Sequence, residues 1–124
     1  MKHARLPSAL LDRSEQEIQR EILTFLRRLP GVVAWKTGGG LLPLANGRRV
    51  RMGHKGVSDI VGWCSEESPI VEARPVARFL AIEVKRLGEK CTPEQAAFLD
   101  AVLVAGGIAI VASSVDDVRR ALLS

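Results

Sequence analysis

The chain predicts an α/β domain, a mixed β-sheet flanked by helices in the order α-β-β-β-α-β-α. Apolar runs of strand length alternate with stretches whose apolar residues recur at helical period. Two of the helical stretches open on capping residues, Ser14 and Thr92. The strands ending at Lys85 and at Ala112 are separated by one helix, an order that favours a mixed sheet with helices on its faces.

The elements follow in turn. Residues 1–11 read as an N-terminal arm. Ser14 is the expected N-cap of a first helix, with Glu15, Glu17 and Glu21 near the positive end of its dipole. Ile18, Ile22, Phe25, Leu26 and Leu29 form its apolar stripe, and Pro30-Gly31 stops it. Val32–Trp35 reads as a short strand. Asn46-Gly47 predicts a hairpin turn between Leu41–Ala45 and Arg48–Met52. Asp59 opens the next strand, and Phe79–Lys85 forms its neighbour. The polar stretch from Cys64 to Arg78 reads as a long excursion between them. Thr92-Pro93-Glu94-Gln95 predicts a capped helix start, with Phe98, Leu99, Val102 and Leu103 as the buried face and Gly106-Gly107 as the stop. Ile108–Ala112 is apolar without alternation, which predicts burial on both faces. Ser114 starts a last helix carrying Val118, Ala121 and Leu122.

A chain of 124 residues is expected to form a single domain, residues 1–124, with one hydrophobic core. Its apolar runs are too short to span a bilayer, so no membrane partner is expected. Met1–Pro7 lacks the apolar core of a signal peptide. Cys64 and Cys91 have no companions at metal-ligand spacing, which argues against zinc and for a reduced, cytoplasmic protein.

The net charge is +4, and its distribution is one-sided. No Asp or Glu occurs from Ile22 to Ser58, while Arg27, Arg28, Lys36, Arg48, Arg49, Arg51 and Lys55 fall in that stretch. Such a block is the expected footprint of phosphate binding, or else a solvated basic surface with no polyanion partner.

The acids give the block a chemistry. In a strand, Glu83 and Lys85 share a face while Ile82 and Val84 point to the other. Asp59 and Glu83, converging from neighbouring strands, can hold a hard divalent cation, and Lys85 beside them can stabilise a phosphate under attack. The plain alternative is a solvent-facing Glu–Lys ladder. Glu15 falls inside the apolar stripe of the first helix, which suits a third acid reaching the site or a first-turn acid serving the dipole; Glu17 falls on the opposite side. Gln95 faces the way of Phe98 and Val102 and can touch the site, or close the capping box with Thr92. Lys55 and His54 approach Asp59 through Gly53 and Gly56 and can contact phosphate. With few aromatic residues, base stacking is not expected to dominate.

The run Glu15-x-x-Ile18-Gln19, then Lys55-Gly56-Val57-Ser58-Asp59, then Ile82-Glu83-Val84-Lys85, then Thr92-Pro93-Glu94-Gln95 resembles the VRR-NUC (virus-type replication-repair nuclease) family of the PD-(D/E)XK nuclease superfamily. The resemblance covers about Ser14 to Val118. It implies a restriction-endonuclease-like core and Mg²⁺- or Mn²⁺-dependent cleavage of DNA. It implies Asp59, Glu83 and the Val84 carbonyl as metal ligands, Glu15 completing the acidic cluster, Lys85 orienting the attacking water, and Gln95 positioning Lys85 or the water. It also implies an intracellular bacterial or viral homodimer acting on branched DNA in repair. Ser58 departs from the pattern, since many members carry Pro there. Arg48, Arg49, Arg51, Lys55 and Lys36 would hold the DNA backbone without reading sequence. The alternative is a non-catalytic DNA-binding module on the same scaffold.

Overall fold

The computed structural model describes residues 13–38, 41–51, 54–68, 70 and 74–123. The expected arm, residues 1–11, lies outside them, as do Gly39, Gly40, Met52 and Gly53. Helix α1 (Glu15–Leu26) leads to β1 (Val32–Lys36), the hairpin strands β2 (Leu41–Pro43) and β3 (Arg49–Arg51), and the long strands β4 (Ile60–Glu67) and β5 (Pro75–Val84). Helix α2 (Pro93–Val104), β6 (Ile108–Ala112) and α3 (Val115–Leu123) complete the chain. Four strands form one sheet in the order β1-β4-β5-β6, and β2 and β3 pair apart from it. The pairs β1–β4 and β4–β5 are antiparallel, and β5–β6 is parallel across α2. The sheet is therefore mixed, as the sequence predicts.

Local signals account for the helix ends. The Ser14 hydroxyl accepts from the Glu17 N–H at 3.1 Å. At α2 the capping box is complete: the Gln95 N–H donates to Thr92 Oγ1 at 3.2 Å, and the Thr92 N–H donates to Gln95 Oε1 at 2.9 Å. Pro93 stands at the first turn, where its missing N–H costs no helical bond.

Alternation along the strands then sorts the core into two layers. Ile60, Leu80, Ile82, Val84 and Ile110 pack with Ile18, Ile22 and Leu26 of α1 and Val118 of α3. On the opposite face, Ala81 packs with Leu99 and Val102 of α2. Since α2 lies on β5 and β6, the β1–β4 half of that face stays open. Trp35 and Trp63 are 46 and 38% exposed there, Phe79 beside Trp63 on β5 is 44% exposed, and the two indoles meet edge to face at 6.0 Å.

Three expectations need correction. Most of the Cys64–Arg78 excursion is strand: Cys64 pairs with Arg78 and Glu67 with Pro75. Beyond Cys64 both segments are exposed on both faces, so no buried alternation marks the ladder in the sequence. Strand β6 is an edge strand, and Val111 is half exposed, not buried. Leu103 is likewise exposed, because only one side of α2 meets the sheet.

Candidate active site

The site lies at the end of the sheet where β4 begins and β5 stops. Ile60 pairs with Ile82, so continuing the antiparallel register by one residue sets Asp59 opposite Glu83. Ile82 and Val84 enter the α1–α3 core, which turns Glu83 to the α2 side of the sheet. Asp59, just before β4, accepts a hydrogen bond at Oδ2 from the Val84 N–H at 2.8 Å. Lys85 follows β5 directly. Its Nζ is 3.8 Å from Glu83 Oε1, and its N–H donates to the Ala112 carbonyl of β6 at 3.0 Å.

Burial makes this cluster electrostatically tense. Glu83 is 2% exposed, and its Oε2 has no hydrogen-bond partner among the described residues. Burial first, then the charge of Asp59 and a hydrogen bond shared with it, push Glu83 up to about 8, with Lys85 pulling the other way. Glu15 stands in the same field. Burial raises its carboxyl, followed by the charges of Glu89 and Asp59, and opposed by Lys85 and Arg86. Glu15 is half-buried whereas Glu17 is exposed, so α1 turns Glu15 toward the cluster. The Cys91 thiol is also raised, by burial and then by Glu83.

The approach to Asp59 is fixed from two sides. Thr37, just past β1, donates from Oγ1 to the Ser58 carbonyl at 2.8 Å and from its N–H to the Asp59 carbonyl at 2.9 Å. Gly56 lies against the first turn of α2: a Cβ there would sit 2.2 Å from the Glu94 carbonyl oxygen. Gly56 also has φ +75°, in the left-handed region. No sequence signal marks Thr37, Glu89 or Cys91 as neighbours of the acids. Gly56 does stand out in the sequence, in the glycine-rich approach to Asp59, but nothing there marks it as a contact of α2.

The remaining candidates spread outward. Gln95 spends its Oε1 on the Thr92 cap, and among the described residues no hydrogen bond links it to Lys85. Lys55 forms an exposed ion pair with Glu94 at 3.6 Å. His54 sits 5.5 Å from the Phe98 ring and bonds the Lys55 carbonyl through Nδ1 at 2.9 Å. Arg48 and Arg49 are exposed on the hairpin, with Arg51 at the end of β3. Lys36 is exposed at the end of β1, paired with Ile60.

Among the described residues, no three His, Cys, Asp or Glu side chains gather as a ready metal cage. Two apposed carboxylates, one with a buried oxygen that no described residue hydrogen-bonds, nevertheless fit a hard divalent cation. Such a cation takes oxygen donors, keeps waters of its own, and offsets the repulsion between the acids.

A mixed sheet that presents Asp59, Glu83 and Lys85 at one end has the layout of a PD-(D/E)XK-type nuclease. The VRR-NUC domain model matches residues 13–116, and the chain belongs to that family. Membership implies a nuclease, with DNA as its substrate. Compared with curated proteins and with solved structures, the chain matches none. No described helix is long and apolar enough to cross a membrane.

Proposed function

We propose that this protein is a metal-dependent endonuclease that hydrolyses DNA phosphodiester bonds, selecting branched or flapped structures rather than a sequence. The observation that carries the reading is the apposition of Asp59 and Glu83 beside Lys85, joined by the Asp59–Val84 bond of 2.8 Å.

In this reading Asp59, Glu83 and the Val84 carbonyl hold Mg²⁺ or Mn²⁺, with Glu15 adding negative charge at its rim. The bound ion would lower the pKa of a water and neutralise charge on the phosphate. Lys85 orients the attacking water and faces the charge that develops on the phosphate oxygens. Water oxygen bonds to phosphorus, one ester P–O bond breaks, and the departing oxygen takes up a proton. Gln95 acts indirectly, by fixing the start of α2 against which Gly56 packs. Lys36, Arg48, Arg49, Arg51 and Lys55 contact the backbone, which supports recognition by shape. Pairing two copies would place two such sites on the two strands of a junction, so we propose a homodimer working inside the cell.

The test is incubation of the full chain with flap, fork, four-way-junction and linear duplex DNA, with Mg²⁺, Mn²⁺ or EDTA. Metal-dependent products that disappear in Glu83→Gln, with DNA binding kept, are expected. No product on any substrate with either metal would overturn the reading in favour of a non-catalytic DNA-binding module.

A further inference from the structure

A second feature lies outside the acid cluster. Between α1 and the open edge of the sheet runs a groove of about 390 Å³, lined by Gln16, Gln19, Arg20, Leu23, Arg27 and Lys36. The α1 residues recur at three- and four-residue steps, so they form one stripe of the helix. From Gln16 to Arg27 that stripe is roughly 17 Å long, at 1.5 Å per residue.

Among the described residues the lining is cationic and contains no carboxylate. Arg20, Arg27 and Lys36 are exposed, and none has an ion pair with a described residue. By contrast, Lys55, Arg78, Arg119 and Arg120 are each paired with a carboxylate. Gln19 is 7% exposed, and its Oε1 is buried without a hydrogen-bond partner among the described residues. The N–H₂ end of the same amide is not among the buried unpaired groups, and it can donate to an anionic oxygen in the groove.

The groove begins beside the acids. Glu15 precedes Gln16 by one residue and lies in the field of Asp59. Lys36 pairs with Ile60, next to Asp59, and the following residue, Thr37, holds the Asp59 carbonyl. A strand leaving the acid cluster around the sheet edge would therefore meet Lys36 first, then Arg20 and Arg27.

We infer that this groove is a second phosphate subsite, which holds the nucleic-acid backbone to one side of the bond to be cut. Its ligand is a run of phosphodiesters, gripped by Arg20, Arg27 and Lys36 and hydrogen-bonded by Gln19. The inference rests on the nuclease reading for its place in the reaction. Binding can be tested without cleavage.

The experiment compares wild type with Arg20→Gln/Arg27→Gln in EDTA, using fluorescence anisotropy on a labelled four-way junction across a salt series. A third protein, Arg119→Gln/Arg120→Gln, removes the same charge from α3. The groove variant should bind roughly ten-fold more weakly, with a log–log salt slope shallower by about two phosphate contacts. The α3 variant should stay close to wild type. With metal, the groove variant should raise KM and keep kcat at saturating DNA. Equal weakening in both variants, or none in the groove variant, overturns the subsite. Isothermal titration showing that inorganic phosphate binds the groove tightly, while DNA affinity is unchanged, would overturn it too. Cleavage by wild type with an unaltered groove variant leaves the nuclease reading standing and removes the subsite. A selective loss of binding in a protein that cuts nothing does the reverse.

Discussion

Asp59 and Val84 are joined by a side-chain-to-backbone hydrogen bond of 2.8 Å. The bond reaches the residue between Glu83 and Lys85, so one carboxylate fixes the backbone that carries the other acid and the lysine. Substitutions at Asp59 should therefore separate chemistry from structure. Asp59→Asn keeps an acceptor for the Val84 N–H and should lose cleavage with little loss of stability. Asp59→Ala leaves that N–H without its partner and should cost a further ~1–3 kcal/mol. Equal unfolding free energies for the two variants in urea would contradict this.

The pH response of the metal-free protein should follow from Glu83. Its carboxyl is pushed up to about 8 from an ordinary 4.5, so the folded chain holds that proton more tightly than the unfolded chain. Stability contributed by the protonated form is thus present at acid pH and lost as pH rises between those values, at no more than about 1.4 kcal/mol per pH unit. In EDTA the Tm of Glu83→Gln, which mimics the protonated group, should gain on wild type from pH 5 to pH 8. Mg²⁺ or Mn²⁺ should raise the wild-type Tm more at pH 8 than at pH 6, since the ion competes with the proton. A difference between the two proteins that does not change with pH would exclude this account.

Gly56→Ala should be far more damaging than Gly47→Ala. Both positions have positive φ, a strain on the order of 1–3 kcal/mol for a residue with a side chain. At Gly47 an added Cβ meets nothing within 4 Å, whereas at Gly56 it meets the Glu94 carbonyl at 2.2 Å. Relief of that contact moves the segment leading to Asp59, so cleavage should fall along with Tm at Gly56 alone. Matching losses at the two glycines would refute the packing role.

Ser58→Ala should be neutral or stabilising by up to ~2 kcal/mol, because Ser58 is fully buried and its hydroxyl has no partner among the described residues. Thr37 bonds the Ser58 carbonyl, which the substitution retains, so cleavage should persist. Thermal denaturation showing clear destabilisation would mean that the hydroxyl has a role in the fold.

Much of this is legible in the sequence. Ser14, Thr92 and Gln95 announce helix starts because caps are local chemistry. Ile82-Glu83-Val84-Lys85 announces its two faces because strand alternation is local as well. What the sequence hides is set by distant partners. Beyond Cys64 the β4–β5 ladder continues through residues exposed on both faces, which leave no buried alternation to read. The exposure of Val111 follows from β6 being the last strand of the sheet. The few aromatic residues look dispersed in the chain, yet the sheet register brings Trp35, Trp63 and Phe79 onto one open face. For the site, the residue types and their spacing were visible. The Thr37 clamp and the seat of Gly56 on α2 arise only from tertiary packing.

The bond from the Lys85 N–H to the Ala112 carbonyl has a consequence for when the protein becomes competent. The lysine's backbone is fastened to a strand made much later in the chain, after a whole helix has crossed over. A nascent chain that has emerged only as far as α2 already contains both strand acids and the lysine, yet lacks this anchor. Lys85 therefore gains this anchor only when the parallel β5–β6 pair closes.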